Sequence, residues 1–368
     1  MGNKKRIVVK VGTSTLTYAT GKLNLDQLER LVRELADLRH RDIEVILVSS
    51  GAVGAGIGKL GLRSKPKSIP EKQALAAIGQ GILMQMYEKF FAEYGEIVAQ
   101  VLLTREDITQ RGRYLNARNT LLALLRLGVV PIINENDTVA YEEIKFGDND
   151  TLAALVAGLV DADLLVLLSD IDGLYTADPR QDSSAQLIKT VEELTPEIVA
   201  LAGKSGSKLG SGGMITKIQA ARIVSTSGIS MIVANGSQKG VLKEIVMGEN
   251  PGTLFLPCDQ RLNSRKAWIG YASKTSGAVT VDEGAEKALL EKGKSLLPSG
   301  VTAVEGDFER GCVISIMGEA GEIARGIVNY SSVEIKQIMG CQSKEIARIL
   351  GQKDFDEVIH RDNLTLKQ

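Results

Sequence analysis

Along the first two-thirds of the chain, short apolar runs alternate with stretches in which apolar residues recur every three or four positions. The runs at 6–11, 43–49, 97–103, 129–134, 164–169 and 230–234 are rich in Val, Ile and Leu and scarcely alternate with polar residues. In several of them that pattern predicts strands covered on both faces. Helical spacing follows at 25–39, 71–94, 114–127, 149–160 and 214–225. The rhythm predicts an α/β fold, a three-layer αβα sandwich around a mostly parallel sheet. Ligands in such folds gather beyond the carboxyl ends of the strands, so the loops after these runs are where chemistry is expected.

The pattern changes near residue 259. Residues 259–275 include Arg261, Arg265, Lys266 and the sole tryptophan, Trp268, and read as a linker. Short strand patterns then follow at 277–281, 300–305, 312–317 and 322–330, separated by glycine turns, with helices at 284–291, 331–339 and 343–350. This is the signature of a small, β-rich, barrel-like or α+β unit. The expected organisation is a catalytic domain over 1–258, a linker over 259–275, a second domain over 276–355 and a C-terminal tail over 356–368.

Composition removes several classes of function. The 368 residues are 44% hydrophobic with a net charge of −1, so no basic excess favours nucleic acid or an anionic membrane. From Gly277 onward 15 acidic side chains face 11 basic ones, a net of −4, which disfavours RNA as a partner of that unit. No apolar run has the length of a signal region or a membrane span. Gly2 sits in only a faint acylation pattern, because Arg6 stands where Ser or Thr is required. The expected location is cytoplasmic. Cys258, Cys312 and Cys341 are odd in number and form no CxxC pair, so reduced thiols are expected. His40 and His360 are the only histidines, one in a charged stretch and one near the end; both read as surface residues, and neither a zinc site nor a His-based triad is expected.

The candidate chemistry lies at strand ends. Lys10 follows Ile7-Val8-Val9 and precedes Gly12-Thr13-Ser14; a lysine beside donor-rich backbone can neutralise phosphate oxygens. Ser49-Ser50-Gly51-Ala52 follows the run at 43–49, but Gly51, Gly54, Gly56 and Gly58 do not spell GxGxxG. An anion-binding loop entering a helix and a turn that needs glycine for backbone reasons both remain open there. Asn134-Glu135-Asn136-Asp137 ends a buried strand, and Phe146-Gly147-Asp148-Asn149-Asp150-Thr151 opens a helix. Capping explains one such residue, not three; the surplus points to a polar substrate, an ammonium group in particular. Ser169-Asp170-Ile171-Asp172-Gly173 reads either as a turn or as a nucleotide contact. Gly210-Ser211-Gly212-Gly213 precedes a helix carrying Lys217 one turn inside, a loop able to wrap phosphates. No GxxxxGK[ST] occurs, since Gly293-Lys294-Ser295 has Ala288 where the upstream glycine belongs. The sum is a phosphoryl-transfer enzyme that does not use a Walker loop.

These segments, in this order, resemble the amino-acid kinase superfamily, and Gly321-Glu322-Ile323-Ala324-Arg325-Gly326-Ile327 within the final unit resembles the PUA domain appended to many members. The resemblance covers the whole chain. It implies Mg²⁺-dependent transfer of the γ-phosphoryl group of ATP to the side-chain carboxylate of L-glutamate, at the start of proline synthesis. By the same resemblance Lys10 and Lys217 neutralise phosphate charge and Asp150 orients them. Ser50, Gly51, Asn134, Asp137, Asp148 and Asn149 would hold glutamate. Ser169, Asp170, Ser211, Gly212, Gly213, Met214, Ile215, Thr216 and Lys217, with Lys10, would hold ATP. No metal ligand from the protein is expected, Mg²⁺ being held by phosphates and water. Feedback inhibition by proline, a homo-oligomer (dimer or tetramer) and glutamate-5-semialdehyde dehydrogenase as downstream partner are further implications. The competing expectations are a kinase of the same fold acting on acetylglutamate, aspartate or a nucleotide, and an RNA-binding protein.

Overall fold

A computed structural model of the chain describes residues 5–18, 20–62, 66, 68–109, 111–140, 149–204, 213–257, 275–351, 353 and 355–367. The chain divides into two compact units, Met1–Asp107 with Leu115–Arg261, and Ile108–Tyr114 with Leu262–Gln368.

The first unit is built on eight strands: β1 (Arg6–Val11), β2 (Glu44–Val48), β3 (Val98–Leu103), β4 (Val130–Glu135), β5 (Leu164–Ser169), β6 (Thr190–Val191), β7 (Ser230–Asn235) and β8 (Thr253–Phe255), in the spatial order β3-β4-β2-β1-β5-β7-β8-β6. The six strands expected from the apolar runs are all present to within a residue, and every pairing among them is parallel. β8 and β6 were not expected. They extend the sheet past β7, with β8 antiparallel to it, and are too short to leave a periodic trace. The central strands are fully covered: Ile7, Val8, Val9, Val45, Ile46, Leu47 and Leu165 have no exposed surface.

Two helices give this unit its tightest contact. Ala52–Leu60 lies against Ile69–Glu93, whose start is fixed by a capping box between Ser68 and Glu71. A Cβ added to Gly79 would sit 1.7 Å from the carbonyl oxygen of Ala52, and one on Gly56 would sit 2.1 Å from that of Leu75. Glycine is therefore required for the backbones to touch. Gly51 is needed for another reason: its φ of 96° lies in the left-handed region as the chain turns from β2 into the helix.

The second unit has five strands, β9 (Ala278–Val281), β10 (Val301–Glu305), β11 (Val313–Gly318), β12 (Gly321–Ile327) and β13 (Leu364–Leu366), ordered β10-β9-β11-β12-β13. Its core includes Val279, Ile314, Ile316, Tyr330, Ile335 and Ile359. The residues beyond 355, read as a tail, supply β13, antiparallel to β12 and with Leu364 buried, so this sheet reaches Leu366. Its Leu-Thr-Leu strand is too short to stand out in the sequence.

Candidate active site

Lys10 is in register with Val48 of β2 and Leu167 of β5, and Val48 with Ile133 of β4. Lys10, Ser49, Asn134 and Ser169 therefore emerge together at the carboxyl edge of the sheet. Helix Asn149–Leu159 begins at the same edge, and its first two residues face two different clusters.

The first cluster is ionic. Lys10 Nζ lies 2.6 Å from Asp150 Oδ1, Lys217 Nζ lies 3.1 Å from Asp150 Oδ2, and Thr216 Oγ1 donates to Oδ2 at 2.8 Å. Asp150 is wholly buried and both lysines are buried as well. Burial alone would raise the Asp150 carboxyl. The charges of Lys10 and Lys217, with hydrogen bonds from Lys10 and Thr216, outweigh it and hold the group well below the usual carboxylate range. Among the described residues two ammonium groups share this one carboxylate, a surplus of positive charge suited to an anion such as a phosphate.

Both lysines are aimed by backbone features suited to phosphate. A Cβ on Gly12 would lie 3.8 Å from Lys10 Nζ, so the Gly12 backbone runs directly past the ammonium. Lys217 sits in the first turn of helix Met214–Thr226, whose cap residue Gly213 is extended and supplies no side-chain cap. Met214 is buried there and Ile215 exposed. The helix dipole and the uncapped amides add to the lysine charge.

The second cluster is neutral and directional. Asn149 Nδ2 donates to Ser49 O at 2.6 Å, to Asn134 Oδ1 at 2.9 Å and to Ser50 Oγ at 3.1 Å. Asn134 Oδ1 also accepts from the Glu135 backbone N–H, and Asn134 Nδ2 donates to Gln80 Oε1 at 2.7 Å. Asp137 lies half-buried in the turn after β4, where burial pushes its carboxyl up to about 6. At the end of β5, the buried Ser169 donates to the exposed Asp170 at 3.2 Å. Next to it Asp172 accepts from Asn235 and Tyr175, each at 2.9 Å.

The structure thus brings together Lys10, Lys217, Thr216 and Asp150, and separately Ser50, Asn134 and Asn149; Gly51 forms the turn beside Ser50. Asp148, Ser211 and Gly212 lie outside the described residues. Sequence reasoning missed Gln80, Tyr87 and Asn235, all joined by side-chain hydrogen bonds to these segments. Among the described residues no group of three His, Cys, Asp or Glu side chains is placed to hold a metal ion.

Residues 5–235 match the amino acid kinase family and residues 277–350 match the PUA domain. The chain belongs to the amino acid kinase family. Within it, the chain is similar over nearly its whole length to glutamate 5-kinases. It is 58% identical over 365 residues to that of Moorella thermoacetica, covering 99% of this chain and 97% of that protein. It is 60% identical over 362 residues to that of a Thermoanaerobacter species, covering 98% and 97%, and 52% identical over 363 residues to that of Geobacter sulfurreducens, covering 98% and 97%. The UMP kinase from Ureaplasma parvum shares the fold, with a TM-score of 0.50 at 13% identity over 69% of this chain and 99% of that one.

Proposed function

We propose that the chain transfers the γ-phosphoryl group of ATP to the side-chain carboxylate of L-glutamate, the first step of proline biosynthesis. The observation that carries this reading is the surplus buried charge on the Lys10–Asp150–Lys217 cluster, one residue away from the amide and hydroxyl cluster around Asn149. The name shared by relatives at 51–60% identity supplies the substrate.

The acceptor is ionised at neutral pH, so no general base is needed, which accords with a site built without histidine. The task is to bring two anions in line and neutralise the charge that develops. Lys10 and Lys217 would stabilise the transferring phosphoryl oxygens, and Asp150 would fix where the two ammonium groups point. Ser169, Asp170 and residues 211–217 would hold the nucleotide. Ser50, Gly51, Asn134 and Asn149 would orient glutamate, Asp137 would take its ammonium group, and Asp148 completes that set. Mg²⁺, held by the phosphates and water, would supply further neutralisation. Among the described residues no group of three His, Cys, Asp or Glu side chains is placed to hold it.

The same reading carries the finer assignments. The catalytic domain is taken as 1–258 and the linker as 259–275. The site is inhibited by proline. The enzyme is a cytoplasmic homo-oligomer that hands its acyl phosphate to glutamate-5-semialdehyde dehydrogenase. Among the described residues no helix is long and apolar enough to cross a membrane.

A substrate panel tests the assignment. ADP release is measured with L-glutamate, N-acetylglutamate, aspartate and UMP in turn. Glutamate is expected to be turned over far faster than the rest, because acetylation removes the charge that Asp137 would meet. Faster turnover of acetylglutamate or UMP overturns the assignment.

A further inference from the structure

Helix Ile69–Glu93 carries three polar side chains at seven-residue spacing, Gln73, Gln80 and Tyr87, which fall on one face two turns apart. Each is bonded to a different part of the glutamate-side cluster. Gln73 Nε2 donates to Ala140 O at 3.3 Å, tying the turn that holds Asp137. Gln80 Oε1 accepts from Asn134 Nδ2 at 2.7 Å. The buried Tyr87 hydroxyl meets Ser49 Oγ at 2.8 Å. At Gly56 and Gly79 the backbone of this helix packs directly against that of Ala52–Leu60.

Gln80 holds the decisive place among the three. Asn134 Oδ1 already accepts two donors, Asn149 Nδ2 and Glu135 N. An asparagine amide can flip end for end at little cost unless its two ends meet different partners. Here the fixed Glu135 N–H holds the Asn134 oxygen toward Asn149, and the Gln80 oxygen, by receiving the Asn134 NH₂, anchors the other end of the same amide. With Asn134 flipped, two amide NH₂ groups would face each other and Asn149 would lose an acceptor.

We propose that Gln80 is a positioning residue for the glutamate site, acting through Asn134 on Asn149 and Ser50. The inference rests on the phosphorylation of glutamate assigned above. It makes the stripe of Gln73, Gln80 and Tyr87 a frame for the acceptor and leaves the nucleotide side untouched, because their side-chain bonds run to Ala140, Asn134 and Ser49 and not to the lysine cluster.

The test is steady-state kinetics on the full chain, with both substrates varied. Gln80→Met keeps the length and removes the acceptor. It should raise KM for glutamate about 10-fold, the scale of one lost hydrogen bond at a ligand-orienting group, and leave KM for ATP within about 2-fold. Gln80→Glu restores an acceptor and should bring KM for glutamate back to within about 3-fold of wild type. In an Asn149→Ala background, Gln80→Met should have no further effect, since its route is gone. If Gln80→Met does not fold, Gln80→Ser, too short to reach Asn134, is read in the same way. An unchanged glutamate KM in Gln80→Met, or in Gln80→Ser where that stands in for it, overturns the inference, as does an equal rise for both substrates or full additivity with Asn149→Ala. Wild-type protein with no glutamate-dependent turnover would instead overturn the assigned function, so the two failures are distinct.

Discussion

Asp150 and Asp137 show how two aspartates in one neighbourhood are set to opposite chemistry. Asp150 is more deeply buried, yet its proton is lost readily because two ammonium groups touch it. Asp137 is only half-buried, and desolvation alone pushes its carboxyl up to about 6. For Asp150 the folded value is depressed, so its contribution to stability is full above the ordinary carboxylate range and fades only in strong acid. For Asp137 the sign is reversed. Its ionisation becomes harder on folding, and the site must release a proton before it can meet an ammonium group at pH below about 6. KM for glutamate is therefore expected to rise as pH falls from 7 to 5, approaching tenfold per unit at the lower end. Asp137→Asn should raise KM throughout and remove that slope. A slope that survives in the variant would show that another group titrates. Most of these residues were legible in the sequence because polar side chains stood where packing wanted none, as at Asn134-Glu135-Asn136-Asp137 after a buried strand. Gln80 and Tyr87 were not legible. A glutamine or tyrosine on a long, mixed helix carries no such surprise, and only the seven-residue spacing hints at a shared face.

At the scale of elements, the apolar runs predicted six strands and a mostly parallel sheet because most of those strands are covered on both faces; β3, at the sheet edge, is the exception, with Gln100 and Leu102 exposed. β6 and β8 escaped because a strand of two or three residues has no period to detect. The glycines at 51, 54, 56 and 58 left two readings open, anion loop or backbone requirement. Gly51 needs its left-handed φ and Gly56 its close contact with Leu75, so backbone demand accounts for both. The contact of Ala52–Leu60 with Ile69–Glu93 gives a direct check. Gly79→Ala gains up to about 1 kcal/mol in helix propensity, but its Cβ would collide with the Ala52 carbonyl at 1.7 Å. Overpacking of this kind costs about 1–3 kcal/mol or more. Tm should fall by several degrees. Gly81→Ala in the same helix, where an added Cβ meets nothing within 4 Å, should hold or raise Tm. Equal behaviour of the two variants would remove the claim that this crossing is set by glycine.

At the scale of the molecule, two far-separated segments, one ending β1 and one opening helix Met214–Thr226, deliver lysines to a single carboxylate on a third. The sequence named those three residues but gave no distance between them; only the parallel register of β1 with β2 and β5 and the start of helix Asn149–Leu159 bring them together. The β-rich character of the second unit was legible, while its closing strand at Leu364–Leu366 was not. On the proposed function the paired lysines serve phosphorylation of the glutamate side chain. Hydroxylamine traps an acyl phosphate as a hydroxamate, so hydroxamate yield from L-glutamate and ATP measures that event and no other. Wild-type protein should form it only with both substrates present, and Lys10→Ala and Lys217→Ala should each lower the rate by roughly 10²-fold or more. Hydroxamate formed without glutamate, none formed by the wild type, or lysine variants near the wild-type rate would contradict the account.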